Sequence, residues 1–208
     1  VLRFSLPFGA AIAALAPLPA TAAEGGGVAS YPIEPVFTAF RDACGPVPSW
    51  EETVAHVTAA GWTDVSETGI PELAEFMAFA EEAGQEAVAE LGGAMSAPAL
   101  FSKAVAGENL AIVVTEVVAE GERVTGCRLF DPGETRDAGA ATVSALVGSE
   151  PTRLLEREGN TIAKYDGLDS AHESFDYFFI PSGSPLEAIV QFNGLAMKID
   201  STGPVSVQ

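Results

Sequence analysis

Two histidines, two cysteines and one loop crowded with carboxylates are the residues in this chain of 208 whose chemistry could reach beyond packing. His172 stands in Asp169-Ser170-Ala171-His172-Glu173-Ser174, where a hydroxyl, an imidazole and acids lie close in sequence. Those types could serve general acid–base or nucleophilic hydrolysis. A triad, however, is a geometry around an oxyanion hole, and no Gly-x-Ser-x-Gly elbow occurs. The spacing reads as a solvated polar loop, with a cell-envelope hydrolase using His172 and nearby acids as the alternative. His56 falls well round from the apolar stripe of its helix at about 100° per residue, so it is expected to face water. Zinc held by His56 and His172 would still lack ligands.

Asp131, Glu134 and Asp137 crowd a single loop, and hard oxygen ligands of that kind suit calcium. Asp131-Pro132-Gly133 also reads as an ordinary turn and Asp137 as an ordinary helix cap, and the spacing misses that of a calcium-binding loop. No metal is assigned. With 29 acidic residues, carboxylate pairs must meet in any fold, so none points to glycoside hydrolysis by itself. No glycine-rich phosphate loop follows a strand, and no cofactor is assigned.

The acids outnumber Lys plus Arg by 29 to 10, a formal charge of -19. Binding to nucleic acid or an anionic membrane by charge attraction is disfavoured. A salt-adapted acidic proteome, a surface that meets a basic protein partner and a cation-binding surface are the three readings of such acidity.

The cysteines depend on the compartment. Arg3 is the only charge before Glu24, and between them Phe4 to Leu18 is apolar and alanine-rich, followed by Ala20-Thr21-Ala22-Ala23. A positive start, an apolar middle and small residues at the end make 1–23 a secretory signal peptide, cleaved after Ala22 or Ala23. A retained membrane anchor fits less well, because Pro7 and Gly9 break a short run. Val1 fits a bacterial GTG start. The destination is then the periplasm or the exterior of a bacterium, where two cysteines pair, so a Cys44–Cys127 disulfide is expected. A reactive thiol or metal thiolate would need partners that are absent from the pattern.

Elements must bring Cys44 to Cys127. Leu110 to Val118 is dense in β-branched residues, Glu120-Gly121 suits a two-residue loop, and Glu122 to Phe130 returns. That hairpin would set Ala119 opposite Glu122, Val114 opposite Cys127 and Ile112 opposite Leu129. Leu110, Ile112, Val114, Cys127 and Leu129 then share one face. Val113, Val117, Val124 and Phe130 make the other face apolar too, so the hairpin is central. Before it, 24–30 is a glycine-rich lead-in and 31–208 forms one domain. A first helix with Pro35 as its opening residue places Phe37, Phe40 and Cys44 on one stripe. Ser49-x-x-Glu52 is a capping box opening a second helix with Trp50, Val54 and Val57 inward. A third runs from Pro71 to Leu91, bent or split at Gly84.

Later elements are a strand near Leu100 to Val105, a helix from Asp137 to Val147 capped by Asp137, and a hairpin around Gly159-Asn160. The aromatic strand Phe175 to Ile180 follows. Ser184-Pro185 could start a helix, but Ile189 to Phe192 and Leu195 to Ile199 read as strands around Asn193-Gly194, and strand is favoured. The class is α+β, an N-terminal helical layer of about three helices on a mostly antiparallel sheet of β-β-α-β-β-β order. That order resembles profilin-like and PAS-like modules at the level of fold alone, which implies little about function. The expected function is an exported, non-enzymatic binding or interaction module.

Overall fold

The β-branched run forms the middle of the molecule. In the computed structural model, which describes residues 30–45, 47, 49–168 and 172–204, β4 (Glu108–Ala119) turns into β5 (Glu122–Pro132). Glu120 and Gly121 carry φ of 54° and 82°, the left-handed pair that a tight hairpin loop needs. Ala119 faces Glu122, Val114 faces Cys127 and Ile112 faces Leu129, the register expected. Residues 1–23, expected to be a signal peptide, and 24–29 of the expected lead-in lie outside the described residues.

Around the hairpin stand α1 (Ile33–Cys44), α2 (Trp50–Ala59), β1 (Thr63–Asp64), a 3-10 turn (Pro71–Leu73) and α3 (Ala74–Leu91). Next come β2 (Ala94–Met95) and β3 (Ala99–Val105), and after the hairpin α4 (Ala140–Val147), β6 (Arg153–Arg157) and β7 (Asn160–Asp166). The described chain closes with β8 (Ser174–Ile180), α5 (Pro185–Val190) and β9 (Gly194–Pro204). The fold is α+β, with one antiparallel sheet in the order β1-β3-β4-β5-β9-β8-β7-β6 and β2 beside β4. Two meanders, β3-β4-β5 and β6-β7-β8, are thus joined by β9. Between β2 and β3 the ladder slips: Met95 faces Val117 but Ala99 faces Val114. Pro98 lies in this one-residue bulge, where its missing N–H costs no ladder bond.

Both faces of the sheet are apolar and both are covered. Val36, Phe40 and Cys44 of α1, Val57 of α2 and Val143 of α4 pack with Leu110, Ile112, Val114, Cys127 and Leu129 in one cluster. Cys44 and Cys127 are bonded, their Cα atoms 5.6 Å apart. The expected bridge thus ties α1 to the hairpin's buried face. The opposite face packs Leu73, and Phe76 and Met77 of α3, against Ala111, Val113 and Phe130. Rings of Phe76, Phe130 and Phe192 meet there, with centroids 5.0 to 5.8 Å apart. Each ring offers an edge or tilt that suits its neighbour's π face.

Local signals decide most boundaries. Ser49 Oγ accepts from Glu52 N at 3.3 Å, the capping bond expected. Pro35 is not the opening residue, because Pro32 precedes the helix and α1 starts at Ile33. Pro35 still falls within the first turn, where an N–H has no intrahelical partner to lose. Gly84 does not split α3, which runs unbroken through it; a Cβ there would lie 2.8 Å from Met95 Sδ, so the glycine lets helix and β2 approach. Two expectations are overturned. Asp137 does not cap α4: Gly139 does, with no side-chain bond. And 185–190 is helix, not strand. Ser184 Oγ accepts from Leu186 N at 3.1 Å, Pro185 is the first helical residue, and Leu186 and Val190 reach the second cluster one turn apart. Cap and core contacts override the β-branched Ile189-Val190 pair.

Gly194 carries φ of 116°, and a Cβ on it would lie 2.2 Å from the Asp131 carbonyl oxygen. Gly194→Ala is therefore expected to cost more than about 2 kcal/mol, whereas Gly133→Ala, with open space at a φ of 74°, costs about 1 kcal/mol. Urea midpoints at unchanged slope check both. Removing the bridge as Cys44→Ala/Cys127→Ala, with a separation of 83 residues, is expected to lower unfolding free energy by about 4 kcal/mol. The oxidised and variant proteins would be compared in the same urea titration.

Candidate functional site

Glu108 opens β4 in phase with Leu110 and Ile112, and Asp131 is the last residue but one of β5, in phase with Cys127 and Leu129. Strand alternation therefore points both acids toward the α1 side of the sheet. Asp131 and Glu134 are buried, and with Glu108 they hold carboxylate oxygens within 4.8 Å of one another. Tyr31, just before α1, donates its hydroxyl to Asp131 Oδ2 at 2.9 Å. Arg136 donates Nε to Glu134 Oε1 at 2.8 Å and Nη2 to Glu108 Oε1 at 2.7 Å, and its Nη2 also pairs closely with Glu134 Oε2. The guanidinium lies 5.4 Å from the Tyr31 ring centroid, within cation–π range. The N–H groups of Thr135 and Arg136 complete the shell of Glu134 Oε1, at 2.7 and 2.6 Å.

Each group titrates according to its surroundings. Burial pushes the Asp131 carboxyl up to about 6, with Glu108 and Glu134 adding to the rise and the bonds from Tyr31 and the charge of Arg136 opposing it. Glu134 also meets a burial penalty, but hydrogen bonds from Arg136 and the backbone hold it below the usual carboxylate range. The Tyr31 phenol is driven far up by burial and by Asp131. This spacing of oxygens could surround a cation, but Arg136 already supplies the positive charge among them. The cluster closes on itself, with Glu134 charged and Asp131 poised near neutrality.

Of the three loop acids singled out for calcium, Asp131 and Glu134 do meet. Asp137 does not join them; it accepts from Gly139 N, Tyr177 Oη and Thr161 Oγ1 at 2.8, 2.7 and 2.6 Å, anchoring its loop to β7 and β8. Glu108, Tyr31 and Arg136 were not anticipated. The usable signal was a charge sitting in the apolar phase of each hairpin strand.

Asp131 and Glu108 also line a depression of about 510 Å³. Glu72 and Pro132 are shared with a larger groove of about 930 Å³ between the start of α3 and α5, which adds Glu75 and Glu187. Five carboxylates thus line one connected cleft, against a single cation, Lys103. Lys103 is engaged, donating to the Ala60 carbonyl at 2.7 Å and lying over the Trp62 ring.

No family model, curated protein or solved structure matches this chain. The likeness in element order to profilin-like and PAS-like modules thus has no relative behind it, and the chemistry must come from the residues.

His56 is exposed on α2, as expected. His172 lines a separate depression of about 290 Å³ with Phe40, Arg41, Leu146 and Phe175. The described residues lining that depression include no carboxylate and no hydroxyl. Of its sequence neighbours, Glu173 turns to Thr202 and Ser174 is buried opposite Asp200, while 169–171 lie outside the described residues. Cys44 and Cys127 are both bonded.

Because Asp131 titrates above its unfolded value of about 3.9, the folded state holds its proton more tightly. The resulting stability is present below pH 4 and is lost as pH rises through about 6. Asp131→Asn, which keeps an acceptor for Tyr31, is expected to be about 2 kcal/mol more stable than the parent at pH 7.5. The gap should close toward pH 4, and paired denaturant titrations across that range measure it.

Proposed function

We propose that this is an exported, non-enzymatic binding module whose acid-lined cleft docks a lysine- or arginine-rich segment of a protein partner. The observation that carries this reading is the connected cleft with five lining carboxylates and one already engaged cation. In a chain of net charge -19, the long-range field draws a basic partner in, and the cleft gives the encounter a place to settle. An acidic inhibitor or immunity-type protein that covers a basic enzyme is one form of this function.

Export is supported by the signal-like pattern of 1–23 and by a cystine, which suits the periplasm or the exterior of a bacterium. Among the described residues no helix is long and apolar enough to cross a membrane. The alternative is a cell-envelope hydrolase using His172 with nearby acidic residues, although the described lining of the depression beside it supplies no carboxylate or hydroxyl.

A fluorescent lysine-rich peptide, titrated by anisotropy at low ionic strength and at about 0.3 M salt, tests the docking. Binding is expected to weaken with salt, and Glu72→Lys/Glu75→Lys to weaken it about tenfold. Glu120→Lys/Glu122→Lys at the β4–β5 turn, the far end of the hairpin from Glu108 and Asp131, changes net charge equally and should have little effect. Equal loss in both variants, or no salt-dependent binding, sinks the cleft as the docking site.

A further inference from the structure

The face of the sheet opposite α1 carries an apolar pocket beside the acid cleft, with Phe192 lining both. It measures about 180 Å³ and is bounded by Phe76, Phe130, Phe178, Phe192 and Ala196. An apolar cavity of roughly 150 Å³ takes a benzene ring, so one aromatic ring or a branched aliphatic group fits.

Register fixes what lies beside it. Phe178, Ala196 and Phe130 sit side by side across β8, β9 and β5, and the next row on the same face is Asp176, Lys198 and Arg128. Arg128 and Lys198 both line the pocket. Asp200 pairs with Lys198 Nζ at 2.6 Å and with Arg128 Nη2 at 3.4 Å, and Arg128 Nη1 donates to Thr115 Oγ1 at 2.7 Å. A Cβ on Gly126 would lie 2.5 Å from Arg128 Nη1 and 2.6 Å from Asp200 Oδ1. The glycine thus lets the guanidinium lie flat on the sheet. Asp176 is only 7% exposed, and its Oδ2 makes an ion pair with Lys198 Nζ at 3.7 Å, yet its Oδ1 has no hydrogen-bond partner.

Of this polar group Arg128 and Lys198 line the pocket, and Asp176 and Asp200 stand next to them on the sheet. Two cations and two carboxylates leave the group without net charge, while the chain as a whole is strongly negative. A simple anion would enter against the long-range field, and a simple cation would meet the like charges of Arg128 and Lys198 in the pocket lining. A ligand carrying both charges on neighbouring atoms, with no net charge, meets neither penalty. We propose that this pocket binds a free hydrophobic α-amino acid, with its side chain over Ala196, its carboxylate on Arg128 and Lys198, and its ammonium on Asp176 Oδ1. A buried acceptor without a donor is costly, and the ammonium would supply that donor.

Heteronuclear NMR titration of the full chain with L-phenylalanine tests this, beside 3-phenylpropionate, which lacks the ammonium, and phenethylamine, which lacks the carboxylate. N-acetylphenylalanine and phenylalaninamide separate a free amino acid from a residue at a peptide end. Phenylalanine is expected to bind saturably, and every analogue about tenfold more weakly or worse. Asp176→Asn should reduce phenylalanine to the level of 3-phenylpropionate and leave the latter unchanged. Ala196→Phe should fill the pocket and abolish binding. No saturable binding of phenylalanine, equal binding of either half-charged analogue, or full binding by Ala196→Phe overturns the proposal. If Ala196→Phe fails to fold, Asp176→Asn decides alone: a retained preference for phenylalanine overturns it. Glu72→Lys/Glu75→Lys should bind phenylalanine normally, which separates this site from the acid cleft.

Discussion

The structure depends on the pairing of β9 with β5 on one side and β8 on the other. Without it the chain has two three-stranded meanders, each with an open edge, and no continuous core. With it, Met197 and Leu195 complete the layer under α1, while Ala196 completes the layer under α3 and α5. The same pairing brings Lys198 between Arg128 and Asp176, and Gly194 against the end of the Asp131 strand. Core, pocket wall and the close approach beneath the acid cleft therefore share a single register. A slip of one residue would invert all of them together.

How much could be read from the sequence follows the range of the interactions. The β4–β5 register was legible because β-branched density and Glu120-Gly121 specify it within a couple of dozen residues. The Ser49 cap was legible because its partner, Glu52, is three residues away. The α5 segment misled because Ile189-Val190 look like strand when counted alone, although Ser184 and Pro185 carry the stronger local instruction. Asp137 looked like a cap because its true partners, Thr161 and Tyr177, lie 24 and 40 residues on. The carboxylate cluster was half legible: Asp131 and Glu134 are neighbours in sequence, but Tyr31 arrives from 100 residues away and Glu108 from the other strand. The pocket row was hidden for the same reason. Arg128, Lys198 and Asp176 become neighbours only once β9 is inserted.

Charge is distributed unevenly for a chain so acidic. Arg128, Lys198, Lys164 and Arg153 fall in one cross-strand row on one face, four of the ten basic residues. Arg136 is spent inside the carboxylate cluster and Lys103 on a carbonyl and a ring. Of the cleft acids, Glu108 and Asp131 have Arg136 beside them, and Glu72, Glu75 and Glu187 share a lining whose one cation is Lys103. Internal cations thus neutralise the acids that the fold must bury, while exposed acids keep the field that a basic partner would meet.

The insertion of β9 also has a consequence in time. Every strand it joins is synthesised before it, so the sheet cannot close until nearly the whole described chain is available. Until then, the β5 and β8 edges and the apolar rows beside them stay open to wrong partners, the hazard of topologies rich in distant pairings.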